Sequence, residues 1–209
     1  GMTRWLLCMT CCLASLAWSA EAFPWNGSTT LATDAGQTLT WTVTRVEGEV
    51  HITGKHPRWS VDHVAKPDGT PLHTVRHAAG AVTRVTYSSD GAVVERVEAN
   101  GTKRSVTITK KGLWDGDTLD VRLAGIPWRD GKKLRVSVID VEKADGTIYP
   151  LVAVGQGEDR CNRIPCQRVH VELDDLRSMF APSYEYRFAM TPDARFLGFD
   201  GDGLSFAAR

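Results

Sequence analysis

The chain has 209 residues, and its 25 lysines and arginines balance its 25 aspartates and glutamates. Neither sign of charge forms a long run, so the basic surface that a nucleic-acid-binding protein needs is missing and nucleic acid is not expected as a partner. The length suits one ordinary domain with a sizeable core.

The N-terminal residues 1–22 have the pattern of a secretory signal, in which a basic residue precedes an apolar stretch and small residues follow it. Cleavage after Ser19 or after Ala22 fits the small-x-small rule, and the second position is preferred. The apolar stretch is shorter than the ~20 residues that cross a bilayer. Gly1 resembles an expression scar. The sequence therefore predicts an exported, periplasmic or extracellular protein that does not span the membrane once processed, with residues 23–209 as one β-rich domain.

Dipeptides typical of tight turns recur along the rest of the chain, and segments rich in Val, Thr, Ile and Tyr lie between them. Asp-Gly and Asn-Gly supply the positive φ angles of hairpin turns, so this spacing predicts an antiparallel meander. The pairs begin at Asp68, Asp90, Asn100, Asp115, Asp130 and Asp145.

Alternation of apolar and polar residues predicts the strands themselves. Leu39, Trp41 and Val43 alternate with threonines, which indicates one buried and one solvent-exposed face. The segment 133–143 is apolar on both faces, which predicts a central strand covered on both sides or a bulge that switches face. The predicted strands after residue 44 are 49–53, 59–65, 72–77, 81–88, 92–98, 102–109, 133–143, 147–154, 169–174 and 184–190.

The segment around Asp117 allows two interpretations. Leu119, Val121 and Leu123 alternate as in a strand, whereas Leu119, Leu123 and Ile126 suit a short helix capped by Asp117. A single helical turn is also predicted near residues 176–179, before Pro182 in the sequence. Together the patterns predict a mainly β protein, a curved antiparallel meander that forms a half-barrel or open barrel with at most one or two short helices.

The stretches 113–119 and 126–132 resemble the midpoint of a family of secreted bacterial proteins of unknown function. A hairpin at 133–157 and a strand pair at 167–195 follow in a similar order. The curved sheet of that family is distantly similar to the half-barrel of the outer-membrane lipoprotein carriers. The resemblance covers the C-terminal half and implies the fold, but it transfers no functional residue to this chain.

Cys161 and Cys166 are the two cysteines that remain after removal of the signal. An even pair in an oxidising compartment favours a structural disulfide, here closing a short loop. A catalytic redox pair usually has two intervening residues and this pair has four. No second pair of cysteines completes a tetrahedral zinc site.

Five histidines lie within residues 51–77, and His73 and His77 share a strand face because their offset is even. With His63 they would supply three imidazoles for zinc or copper if neighbouring strands brought them together. Few acidic residues accompany them. Scattered surface histidines are therefore the preferred interpretation, and neither a metal nor another cofactor is expected.

The sequence contains no catalytic motif. It has no Gly-x-Ser-x-Gly elbow, and residues such as Ser60, Asp62 and His63 are neighbours along one strand, so they do not converge as a catalytic triad does. An uncharacterised hydrolase is accordingly only the third choice of function.

The aromatic residues are the candidates for a ligand site. A curved sheet wrapped around them would leave a cleft for an acyl chain or another apolar ligand. The alternative is that they fill the core. The sequence thus predicts a non-catalytic exported protein that binds a hydrophobic or lipid-like small molecule, or alternatively a scaffolding module that binds another envelope protein. The candidate ligand-binding residues are Trp41, Trp59, Trp114, Trp128, Tyr184, Tyr186 and Phe188.

Overall fold

The computed structural model describes residues 22–23, 25–33, 35–161, 163–190, 196–201 and 204–208. Within these ranges, fifteen strands form one sheet that is antiparallel except for a single strand pair. The predicted signal segment, apart from Ala22, lies outside the described residues. No helix in the described ranges is long and apolar enough to cross a membrane.

The first half of the chain is an unbroken meander in which each strand pairs with the next. The alternation of buried and exposed side chains along these strands is the pattern that the sequence predicts, and the predicted bounds of the strands at 59–65 and 81–88 are confirmed. The strands are β1 (Gly27–Ala32), β2 (Thr38–Val46), β3 (Glu49–His56), β4 (Trp59–Ala65), β5 (Pro71–Ala78), β6 (Ala81–Ser88), β7 (Gly91–Val97) and β8 (Lys103–Thr109).

The second half begins with a short strand and a short helix and then forms another meander. A single 3-10 turn, Leu176–Met179, lies between two of its strands, as predicted. The elements are β9 (Leu113–Asp115), α1 (Leu119–Ala124), β10 (Lys133–Ile139), β11 (Ile148–Cys161), β12 (Ile164–Leu173), β13 (Tyr184–Ala189), β14 (Phe196–Gly201) and β15 (Leu204–Ala208).

Of the two interpretations of the segment after Asp117, the helix is confirmed and the strand is wrong, because Leu119–Ala124 form α1 and the strand β9 ends before it, at Asp115. The residue that precedes α1 is Thr118, so the expectation that Asp117 caps the helix is wrong. Strand β9 pairs parallel with β10, since the chain crosses back over the sheet through α1 instead of turning in a hairpin.

The two meanders are joined where β1 pairs with β15, which leaves β8 and β9 as the two edges of the sheet. Side chains bring these ends together. Arg96 Nη1 donates to the carbonyl of Glu142 at 2.8 Å, and Arg104 Nη2 donates to that of Lys143 at 2.6 Å. In the part of the chain that the structure describes, no backbone ladder joins β8 to β9, so the sheet is a curved, open barrel, as predicted.

The concave face of this barrel is packed by α1 and by the chain that precedes β1. Leu123 and Val121 of α1 are fully buried in one cluster with side chains from both meanders. Phe23 and Trp25 are buried in the same cluster. A Cβ on Gly125 would lie 1.6 Å from the carbonyl oxygen of Ala22, so only glycine permits this close approach.

Strand β10 is covered on both faces, as its sequence predicts. Val138 lies in the main core, whereas Ile139 belongs to a second cluster with Val85 and Ile108 of the opposite edge. The predicted disulfide is also confirmed. Cys161 and Cys166 are joined across the tip of the β11–β12 hairpin, with their Cα atoms 6.0 Å apart.

Candidate functional site

The structure divides the seven predicted ligand-binding aromatics by depth. Trp41, Trp128, Tyr186 and Phe188 are buried in the main core, where Tyr186 and Phe188 stack with ring centroids 6.0 Å apart. The other three, Trp59, Trp114 and Tyr184, are partly buried and pack against its margin. Only these three are placed where a ligand can reach them without displacing the core.

A groove lies beside Trp114, at the point where β9 ends. Strand β9 pairs only with residues 137–139 of β10, whereas β11 pairs with β10 from Lys133 onward. In the described part of the chain, residues 133–136 therefore extend past their neighbour on one side. The groove has a volume of about 360 Å³ and is lined by Gly112, Trp114, Leu134, Arg135, Val136, Ser137, Pro150 and Asp174.

Polar contacts hold the walls of this groove. Arg135 Nε donates to Asp174 Oδ2 at 3.0 Å, and the backbone N–H of Asp174 donates to the carbonyl of Pro150 at 2.8 Å. The guanidinium of Arg122 lies over the Trp114 ring, 4.6 Å from its centroid. This cation–π contact fixes the orientation of the indole from the side of α1.

Behind Trp114, the carboxylate of Asp115 is the centre of a buried hydrogen-bond cluster. Its Oδ1 accepts from the backbone N–H groups of Asp117 and Thr118 at 2.9 and 3.1 Å. Its Oδ2 accepts from Tyr87 Oη at 2.7 Å and from Thr74 Oγ1 at 2.5 Å. Burial, together with the nearby Asp115 charge, raises the pKa of Tyr87 well above its usual value. These bonds attach β9 to β5 and β6 and thereby position the groove.

Two further hydrogen-bonded pairs, His63 with Thr74 and Arg76 with Asp117, extend the cluster. Thr74 donates its single proton to Asp115, so its oxygen accepts from Nδ1–H of His63 at 2.7 Å. Burial lowers the pKa of His63. Arg76 Nη1 donates to Asp117 Oδ1 at 2.8 Å. Burial, and then the charge of Asp115, raises the pKa of Asp117 to about 7.

The cluster has the residue types of a proton relay, but its geometry does not suit catalysis. His63, Thr74 and Asp115 are all buried, so a substrate has no access to them. Each also has a partner within the cluster. Their arrangement stabilises the junction between the two edges of the sheet.

The histidines proposed as metal ligands lie on different faces of the sheet. His63 is buried opposite Thr74, whereas His73 and His77 are exposed on the other side of β5. Within the described residues, no three His, Cys, Asp or Glu side chains are grouped so that they could hold a metal ion.

The sequence does not indicate three residues of the site: Leu134, Val136 and Asp115. Leu134 and Val136 belong to the hairpin predicted at 133–157. They alternate with Lys133 and Arg135, and this alternation places both on one face of the strand. The Asp115-Gly116 pair predicts a hairpin turn, which is wrong, because Asp115 is buried at the end of β9 and the chain continues into α1. Trp59 and Tyr184, by contrast, were singled out but do not line the groove. Trp59 lies between His56 and Arg76, on β4.

Neither a family model nor a curated protein matches this chain. Among solved structures, it is similar to a β-barrel-like protein of the domain of unknown function DUF1849 from Brucella abortus. The TM-score is 0.52 and the identity 10%, over 88% of this chain and 93% of that one. At this identity the likeness shows the fold alone, and that fold is a mainly β, barrel-like one.

Proposed function

We propose that this chain is a non-catalytic, exported binding protein of the cell envelope that holds a hydrophobic or lipid-like small molecule in the groove beside Trp114. The observation that supports this most is the partial exposure of Trp114, Leu134 and Val136 in a groove of about 360 Å³. The signal-like N-terminus and the resemblance to the lipoprotein carriers motivate the export and the class of ligand.

The size and polarity of the groove limit what it would hold. Ligand pockets usually span ~300–1,000 Å³, so this groove suits a single acyl chain or a small apolar molecule. The side chain of Arg135 is 65% exposed at the rim, although it is paired with Asp174. An amphiphile with an anionic head group would place its chain on the indole and its head beside this guanidinium.

Displacement of a fluorescent fatty acid from the processed protein tests this proposal. Val136→Thr keeps the side-chain shape but replaces one methyl group, so we expect affinity to fall about fourfold, from ~0.8 kcal/mol per buried methylene-sized group. Val93→Thr is the matched control, because Val93 is exposed on β7 away from the groove. An absence of displacement by the unmodified protein, or equal affinity of both variants, would contradict the proposal.

A second candidate is a polypeptide partner, because residues 133–136 of β10 extend past β9. An extended peptide adds to such an edge through main-chain hydrogen bonds. Hydrogen exchange distinguishes the two candidates. A peptide strand would protect backbone amides of residues 133–136, whereas a lipid in the groove would leave their exchange nearly unchanged.

A further inference from the structure

The 3-10 turn and the residue after it expose three large apolar side chains, which we call the apolar tip: Leu176, Met179 and Phe180. Their exposed fractions are 83%, 75% and 89%. The five other large apolar side chains that are exposed in the described residues show only 37–48%. The tip therefore projects from the surface instead of packing on it.

Local hydrogen bonds hold the apolar tip in a defined conformation. Asp175 accepts from the backbone N–H of Arg177 at 2.8 Å and from its Nε and Nη2 at 2.8 and 2.6 Å. The N–H of Phe180 donates to the carbonyl of Arg177 at 3.0 Å. Leu176 and Met179 are three residues apart, so they lie on one side of the 3-10 turn. The display of apolar surface is thus preorganised.

We propose that the apolar tip docks on the surface of a lipid bilayer and presents the groove to the membrane. The part of this inference that concerns the groove rests on the proposed function. Asp174 lines the groove and lies two residues before Leu176, the first residue of the turn, and its backbone is bonded to Pro150 of the same wall. With the tip docked beside it, the opening of the groove would lie next to the bilayer lipids, and the protein would take its amphiphilic ligand from them.

The charges around the tip are compatible with this position. Asp175 is paired with Arg177, and Asp174 with Arg135. Since both ion pairs are internal, approach to the interface leaves no charge of these four residues without a partner. Long apolar side chains of this kind enter about 5–10 Å into the boundary between head groups and acyl chains. With only three such side chains, the binding is weak and reversible.

The area of the tip argues against a protein partner or a second copy of this chain. A stable protein interface buries about 800 Å² on each partner. Even an aromatic side chain buries only about 150–250 Å², so Leu176, Met179 and Phe180 together supply less than that area. A bilayer imposes no such minimum and needs no matching shape.

Flotation of the processed protein with vesicles of phosphatidylcholine, with and without phosphatidylglycerol, tests the inference. The tip variant combines Leu176→Ser, Met179→Ser and Phe180→Ser. A matched control combines Val46→Ser, Val93→Ser and Val97→Ser, which also removes three exposed apolar side chains. We expect the unmodified protein and the control to float, the tip variant to lose at least fivefold of the bound fraction, and the anionic lipid to make little difference.

Three results would overturn the inference: failure of the unmodified protein to float, equal flotation of the tip variant, or a dimer in light scattering that the tip variant abolishes. Fatty-acid displacement in solution, measured on the same samples, separates this inference from the proposed function. Displacement without flotation refutes only membrane docking. Flotation without displacement refutes only the groove ligand.

Discussion

We expect the position of β9, and with it the groove, to depend on the carboxylate of Asp115. Asp115→Asn keeps the size of the side chain and its Oδ1 acceptor. An amide –NH2 then replaces the oxygen that accepts from Thr74 at 2.5 Å and Tyr87 at 2.7 Å. Two hydroxyl donors would face a donor group in a buried site.

The expected loss of stability follows from these two bonds. A hydrogen bond to a charged group contributes ~1.5–3 kcal/mol, so both together contribute ~3–6 kcal/mol. Rotation of the Thr74 and Tyr87 hydroxyl groups recovers part of this free energy. We therefore expect Asp115→Asn to lower the free energy of unfolding by about 3–4 kcal/mol. Tyr87→Phe removes one bond and should cost about 2 kcal/mol alone. In the Asp115→Asn background it should cost less than ~1 kcal/mol, because its partner is already changed.

Urea unfolding followed by tryptophan fluorescence measures all four proteins of this double-mutant cycle. Asp145→Asn is the control, since Asp145 is exposed and bonded only to its neighbour Thr147 among the hydrogen bonds of the described residues. It should cost less than ~1 kcal/mol. An Asp115→Asn protein within ~1 kcal/mol of the unmodified one, or an equal cost of Tyr87→Phe in both backgrounds, would refute the reasoning.

Three other predictions concern charge, the disulfide and processing. The folded pKa of Asp117, about 7, lies above its ordinary 3.8, so its stabilisation is complete below pH 4 and is lost as pH rises through 7. The free energy of unfolding of the unmodified protein, relative to that of Asp117→Asn, should thus fall by up to ~1.4 kcal/mol per pH unit between pH 4 and 7. A difference in denaturant unfolding that does not change with pH would contradict this. Replacing Cys161 and Cys166 by serine opens a six-residue loop and should cost about 2 kcal/mol; unchanged melts would show that the closed loop does not constrain the unfolded chain. Ala22 is buried and its N–H donates to the Pro67 carbonyl at 2.9 Å, so we expect cleavage after Ser19 instead of after Ala22, the position that the sequence pattern alone favours; an intact mass that starts at residue 23 would disprove this.

Strands β2 to β8 could be predicted because apolar and polar residues alternate along them, whereas β1, β14 and β15 are missing from the predicted strands, and some of the tightest turns could not be predicted. Two of the two-residue hairpin loops are Glu47-Gly48 and Ala79-Gly80, in which all four residues have positive φ. Glutamate and alanine have no preference for this conformation, so the pairing of the flanking strands must impose it. In longer turns, Asp68 and Asn100 accept a hydrogen bond from the N–H two residues later. There the turn residues act through their side chains.

The candidate site was less predictable because its parts come from distant positions. Asp115 is bonded to side chains 41 and 28 residues away, and no local pattern relates them. Period-two alternation assigned Trp41, Tyr186 and Phe188 to one face of their strands. It did not show that α1 and Phe23 would cover that face, because the position of a crossover segment depends on the tertiary fold.

The pairing of β1 with β15 joins Leu31 to Ala208, near the two ends of the chain. The pairing of β1 with β15 is therefore absent until β15 has been synthesised. Contacts this far apart make folding slow. We expect such a delay to favour the export that we propose, because translocation requires an extended chain.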